Sequence, residues 1–314
     1  MCDRMMLVKR EVISMKILIT GGCGYLGTVT AIELAEAGHE VTCFDIRQKP
    51  LLCCHETVQA GQKHFVKGNV CSRGEVKTYA EKSDAIVHLA FIVGGPGCSK
   101  NPEWAKTLAV EGTANVIAAG KGRILLFASS DAVYGNQAPE ICGEEAACEP
   151  VSLYGTLKLA CEQELERIER SIILRLPSHF GVSPSMRMDL LVHSLAQEMF
   201  RCGTVKLFQA DIVRALIHVR DAASAIRFVL EHHDSTAGKV FNVASGAWSK
   251  REIAGSIADI YSGSVVEDAA RSDQDRRDFR LDCRRINALG WQPGFSLERG
   301  LMELKTFLDS MLKS

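Results

Sequence analysis

Apolar residues stand at successive positions in Ile17-Leu18-Ile19, as in a strand buried on both faces. The run begins at Met15 and ends in a glycine-dense turn. Tyr25 to Ala37 then has the length and pattern of a helix, with Gly38 as its C-terminal cap. Val41 to Phe44 is the next short apolar run. Strand, glycine turn, helix and strand in about thirty residues make a βαβ unit. The alternation continues, with Ile86-Val87-His88-Leu89, Ile124-Leu125-Leu126-Phe127 and Ile172-Ile173-Leu174-Arg175-Leu176 reading as further buried strands. Between them, Pro102 to Ala119 and Tyr154 to Arg170 read as amphipathic helices. This pattern predicts an α/β fold, a doubly wound parallel sheet with helices on both faces.

Beyond Leu176 the regularity loosens. Residues 177–212 and 245–314 hold short elements, turn residues and a dense charge run from Arg271 to Arg285, and predict a smaller C-terminal α/β lobe. A return segment of about 213–244 rejoins the larger domain of residues 15–176, with Phe241-Asn242-Val243 giving its sheet one more strand. Residues 1–14 show no periodicity and read as a loose extension ahead of Met15 or as an extra first turn. No internal repeat is present.

Composition narrows the class. The chain of 314 residues has room for one large α/β domain or two modest ones. Hydrophobic residues at 46% and charged residues at 24% exclude disordered and fibrous classes. Lys+Arg 37 against Asp+Glu 38 leaves a net charge of -1, which gives no global charge case for nucleic acid or an anionic membrane. No apolar run approaches the roughly 20 residues that cross a bilayer. The 12 cysteines include no C-x-x-C pair, and neither Cys53-Cys54 nor Cys142 and Cys148 resembles a zinc ligand set, so no metal is expected. Cys23, Cys43 and Cys161 fall in apolar segments, where a thiol acts as a small hydrophobe. The start Met-Cys-Asp-Arg lacks the apolar core of a signal peptide. A reduced, cytoplasmic setting is the expectation.

Candidate chemistry begins in the first turn. Thr20-Gly21-Gly22-Cys23-Gly24-Tyr25-Leu26-Gly27 places glycines at 21, 24 and 27 between strand and helix. The first allows the tight turn, the second lets backbone approach a pyrophosphate, and the third permits close helix–strand packing. The helix start offers unpaired N–H groups and a positive dipole end to the phosphates. Asp45 closes the next strand 18 residues past Gly27. A carboxylate there accepts hydrogen bonds from a ribose 2′-hydroxyl and repels a 2′-phosphate, so it favours NAD over NADP, although Arg47 stands nearby.

Two further segments carry reactive groups. Ser129-Ser130-Asp131-Ala132-Val133-Tyr134-Gly135 follows a buried strand at its C-terminal end, where open α/β sheets bind ligands. Tyr154-Gly155-Thr156-Leu157-Lys158 opens a helix, and the i, i+4 spacing stacks Tyr154 and Lys158 on one face. A free tyrosine near pKa 10 is a poor base at neutral pH. The Lys158 ammonium and a positive nicotinamide ring are expected to stabilise its phenolate. Ser130 then holds a substrate hydroxyl while Tyr154 takes its proton and hydride leaves for the cofactor.

With the glycine loop, Asp45, Gly68-Asn69-Val70, His88-Leu89-Ala90, Ser130, Tyr154, Lys158, the segment Arg214 to Asp221 and Leu289-Gly290-Trp291-Gln292-Pro293, the chain resembles an extended short-chain dehydrogenase/reductase. The type is the NAD-dependent nucleotide-sugar epimerase/dehydratase, and the likeness runs from Met15 to Leu308. It implies a Rossmann-like larger domain that binds NAD and a C-terminal lobe that binds a nucleoside-diphosphate sugar. Ser130, Tyr154 and Lys158 are the implied catalytic residues. Gly21, Gly24, Tyr25, Leu26, Gly27, Asp45, Asn69, Val70, Leu89, Ala90 and Pro177, with Tyr154 and Lys158, are the implied cofactor contacts. Asp131, Ser178, Arg214 and Arg271 are the implied substrate contacts, and dimerisation through the long helices is implied too.

The departures choose among reactions. Asn69 replaces the family's usual Asp and keeps a similar hydrogen bond to adenine. Ser178 stands where the family has Asn. Ala132 follows Asp131 where sugar dehydratases carry the Glu that abstracts the C5 proton, which disfavours dehydration and decarboxylation. The expectation is therefore an NAD-dependent epimerase acting at C4 through a 4-keto intermediate. The alternatives are a dehydrogenase or ketoreductase, and more distantly a non-catalytic NAD sensor. His88 and His218 read as packing residues, and Gly94-Gly95-Pro96-Gly97 as a substrate-facing loop.

Overall fold

The computed structural model describes residues 14–47, 63–136, 140–268 and 277–311. The apolar runs become β1 (Lys16–Thr20), β2 (Glu40–Asp45), β3 (Lys63–Lys67), β4 (Ala85–His88) and β5 (Ile124–Ser130). They are followed by β6 (Ile141–Cys142), β7 (Ser171–Leu176), β8 (Ser178–Phe180), β9 (Thr204–Leu207) and β10 (Val213–His218). The last four are β11 (Lys239–Asn242), β12 (Gly246–Ser249), β13 (Ser264–Glu267) and β14 (Arg280–Leu281). The main sheet has 7 strands in the order β11-β7-β5-β4-β1-β2-β3, and its described pairings are parallel. Every residue of β4, β5 and β7 is buried, as strands covered on both faces require.

Helices cover both faces. On one, Ala31 and Leu34 of the helix Tyr25–Glu36 join Ala222, Ile226 and Val229 of the helix Val219–Glu231. On the other, Val76, Ala105, Val116, Leu157 and Leu165 pack under Leu18, Ile86 and Leu125. The return strand is β11, beside β7. β10 instead pairs with β8 and β12 in a separate sheet of 3 strands, because its partners lie across the C-terminal lobe. That lobe has its own core, with Val192, Leu195, Ile253, Ile257, Leu301 and Leu304 drawn from three helices.

Two helices differ from the sequence pattern. The run from Pro102 is a helix to Thr107, a widened π turn at Leu108–Gly112 and a helix Thr113–Ala119. The Tyr154 helix spans Leu153–Leu165 and stops short of Arg170, because the chain turns back through a Ser171 N–H to Ile168 C=O bond to enter β7. No described helix is long and apolar enough to cross a membrane.

Candidate active site

The C-terminal ends of β1, β2, β4 and β5 open into a cleft of about 1060 Å³ that continues against the C-terminal lobe. Its cofactor-side wall is the glycine loop. Gly21 has φ +74, and a Cβ on Gly27 would lie 2.2 Å from the Gly21 carbonyl oxygen, so the turn and the helix meet only through glycine. Asp45 is buried at the tip of β2. Its Oδ2 accepts the Cys23 N–H at 3.0 Å and its Oδ1 the Arg47 N–H at 2.9 Å. Arg47 folds back over the loop, its Nη2 donating to the Cys23 carbonyl at 2.8 Å. Two turns of the lobe stitch onto the same loop: Ser183 Oγ donates to Tyr25 C=O at 2.7 Å and Ser185 Oγ to Cys23 C=O at 2.8 Å. The Tyr25 hydroxyl donates to Gly181 C=O at 2.6 Å, which anchors the loop to the lobe, and Tyr25 is among the residues lining the cleft. Asn69 Oδ1 accepts the Cys71 N–H at 3.0 Å, which leaves its Nδ2 as the donor it can offer. Val70, Leu89, Ala90 and Pro177 line the same cleft. A glycine cradle, a helix start and a buried carboxylate together fit a dinucleotide.

The reacting end is built by β5 and the helix Leu153–Leu165, whose start Ser152 caps by accepting the Gly155 N–H at 3.1 Å. Ser130, Tyr154 and Lys158 all face the cleft. Burial pushes the Tyr154 phenol up to about 12, with the Ser130 hydroxyl opposing that shift. The expected lowering by Lys158 is therefore not achieved by the chain alone. The reason is geometric. Lys158 Nζ donates to Ala128 C=O at 2.6 Å and sits 3.8 Å from the Phe91 ring centroid, but 5.9 Å from that of Tyr154. Burial also pulls the ammonium down to about 8. Glu162, one turn further along the same buried face, forms a 2.7 Å ion pair with Arg175 of β7 and fixes the helix to the sheet.

On the substrate side, Asp131 and Ser178 line the cleft. The Asp131 carboxylate is held by the Arg277 guanidinium. Arg214 sits on β10 opposite Trp248, buried, and is not among the residues lining the cleft. Arg271 lies outside the described residues. Gly94, Gly95 and Pro96 line the cleft beside Trp104. His88 is bracketed by Thr20 Oγ1 at 2.7 Å and Thr113 Oγ1 at 3.1 Å, and His218 stacks on Phe295 at 4.0 Å, so both are packing residues. Sequence reasoning missed Phe91, Arg187 and Arg277, which also line the cleft. Phe91 and Arg187 carry no local motif, and Arg277 was hidden in a charge run.

A seven-stranded parallel sheet with a glycine cradle, and a Ser–Tyr–Lys set at its carboxyl edge, defines a dinucleotide-dependent enzyme of the short-chain dehydrogenase/reductase type. The sequence profile of the NAD dependent epimerase/dehydratase family matches residues 17–244, and the chain belongs to that family. NAD is its cofactor. The chain is 28% identical over 259 residues to GDP-6-deoxy-D-mannose reductase of Pseudomonas aeruginosa, covering 75% of this chain and 83% of that protein. It is 27% identical over 311 residues to UDP-glucose 4-epimerase of Mycolicibacterium smegmatis, covering 93% and 98%. Its fold is similar to that of an epimerase from Methanothermobacter thermautotrophicus, with TM-score 0.83 at 19% identity and coverage of 96% and 94%.

Proposed function

We propose that this enzyme epimerises a nucleoside-diphosphate sugar at C4 through a 4-keto sugar. The observation that carries the reading is a complete Ser130–Tyr154–Lys158 set in a cleft whose described lining includes no glutamate. Asp45 and Asp131 are the only carboxylates among the described lining residues. The first is engaged by two loop amides, and the second is held by Arg277. His179 also lines the cleft, but burial, then Arg187, pull its imidazole down to about 4, too weak a base to take a carbon-bound proton. Ala132 stands where elimination needs a carboxylate.

Bound NAD supplies the hydride acceptor and gives the hydride back. Tyr154 Oη takes the proton of the sugar hydroxyl and Ser130 Oγ steadies that oxygen. Lys158 adds positive charge beneath the ring, and a second positive charge beside the phenol is needed to bring it into a working range. Arg214 and Arg271 are proposed partners of the substrate diphosphate, with Asp131 and Ser178 at the sugar. The copies are proposed to pair through the helices of residues 102–119 and 153–165, where Val110 is 63% exposed, and light scattering tests this.

The reductase relative supports a second reading, a dehydrogenase that exchanges its cofactor each turnover. One experiment separates the two. Purified protein is denatured to assay released NAD, and the native protein is incubated with UDP-glucose and other nucleotide hexoses. The epimerase retains NAD and yields the C4 epimer with no net NADH. Net NADH formation establishes the dehydrogenase. Accumulation of a 4-keto-6-deoxy product, seen by its alkaline absorbance, refutes the choice over dehydration.

A further inference from the structure

Lys158 is a buried cation without a carboxylate of its own. Glu162, one turn along the same helix, is spent on Arg175. The thiols of Cys161 on that helix and Cys98 on the helix Gly95–Lys100 are both pushed up by burial and stay neutral. His88 on β4, pulled down to about 3 by burial and then by Lys158 itself, is neutral as well, and so is the Tyr154 phenol. None of these groups offers the ammonium an uncommitted negative charge, and burying a cation is costly unless something else meets it. What meets it is aromatic. β4 and β5 are neighbours with His88 opposite Phe127, and Phe91 follows His88 just past the end of β4. The Phe91 and Phe127 rings lie 6.4 Å apart at 61°, and both belong to the packing under the sheet. Lys158 Nζ sits 3.8 Å from the Phe91 centroid and 4.5 Å from that of Phe127 while it donates to Ala128 C=O at 2.6 Å. Both distances are inside the roughly 6 Å over which the negative face of a ring attracts a cation. The Phe91 ring also meets the Tyr154 ring edge-on at 6.0 Å.

We propose that Phe91 is a positioning residue for Lys158, its ring face and that of Phe127 forming an aromatic wedge that holds the ammonium charged and in place where no carboxylate does so. The proposal rests on the Ser130–Tyr154–Lys158 assignment and extends it to the chain beyond β4. The choice of an aromatic group has a physical consequence. A carboxylate beside Lys158 would hold the ammonium but cancel its field in the cleft. A ring carries no net charge, so it holds the cation and leaves its positive charge to act on the phenol and the cofactor.

The test is a carbon NMR titration of the protein labelled at its lysine Cε atoms and saturated with NAD, the Lys158 signal being the one that Lys158→Met removes. It reads this one ammonium whatever the substrate is. Phe91→Leu keeps an apolar side chain, removes the ring face and lowers the ammonium pKa by about one unit. Phe91→Tyr, which keeps the face, leaves it near the wild-type value. Replacing Phe91 by a difluorinated phenylalanine keeps the shape of the ring, weakens its negative face and lowers the pKa by about half a unit. An unmoved ammonium in Phe91→Leu overturns the proposal. A shift in Phe91→Leu with none on fluorination shows that packing alone is at work and overturns it too. Should Phe91→Leu not load NAD, the fluorinated protein is read alone. A lowered pKa there supports the proposal and an unchanged one overturns it. If the ammonium shifts as stated and no nucleotide sugar turns over, the positioning role stands and the substrate reading falls.

Discussion

Asp45 uses both carboxylate oxygens on the loop that it is expected to share with a ribose. Cys23 N–H binds one oxygen and Arg47 N–H the other, which fixes the tip of β2 against the glycine turn. Each oxygen keeps a lone pair for a ligand hydroxyl. Asp45→Ala therefore acts twice. It removes a charged acceptor worth about 1.5–3 kcal/mol to a bound ribose, and it strips two amides of their partner. NAD affinity measured by fluorescence titration is expected to fall at least about tenfold, with a lower Tm for the unliganded protein. Unchanged affinity would show that Asp45 is not at the ribose.

At the scale of elements, the helix carrying Tyr154 and Lys158 is seated on the Ser130 turn through a glycine. A Cβ on Gly155 would lie 2.5 Å from the Ala132 carbonyl oxygen and 2.9 Å from the Pro150 side chain. Backbone against backbone cannot give way cheaply, so Gly155→Ala must lift the helix start from the turn. A displacement near 1 Å between reacting groups is expected to cost about 10²-fold in kcat, while NAD affinity falls less, since the glycine loop and Asp45 are untouched. Steady-state rates and NAD titration on the same preparation check both halves. The i, i+4 spacing of Tyr154 and Lys158 was legible in the sequence because helix geometry is local. That Glu162 continues the same face into a buried ion pair with Arg175 was not, because its partner is contributed by another strand.

At the scale of the whole molecule, burial sets an acid limit on stability. His88 is pulled down to about 3 by burial and then Lys158, and His218 to about 3 by burial and then Arg220 and Arg299. His179 is pulled down to about 4 by burial and then Arg187. Unfolding frees each ring to protonate near pH 6.5, so the unfolded state binds more protons below that value and gains on the folded one. The contribution of these rings is whole above about pH 6.5 and is lost progressively as pH falls toward 4 for His179 and toward 3 for His88 and His218. Each costs about 1.4 kcal/mol per pH unit across that window. The Tm is expected to be level from pH 7 to 8 and to drop by roughly 5–10 °C per unit below pH 6. A level Tm down to pH 5 in scanning calorimetry would show that the three rings titrate together with the unfolded chain.

The sequence by itself determined the alternating strands and helices, the glycine loop with Asp45 at the next strand end, and the presence of Ser130, Tyr154 and Lys158. These follow from periodicity and short-range spacing, which the backbone enforces residue by residue. Edge strand β3, with its flanking lysines, and the two-residue pair β6–β14 were beyond that signal, since so few residues carry no period. Only the tertiary structure decided that β10 leaves the main sheet for β8 and β12, and that Arg187 and Arg277 line the cleft. It also decided the charge state at the reacting tyrosine, because desolvation and the Asp131–Arg277 pair depend on chain segments brought together from positions 146 residues apart.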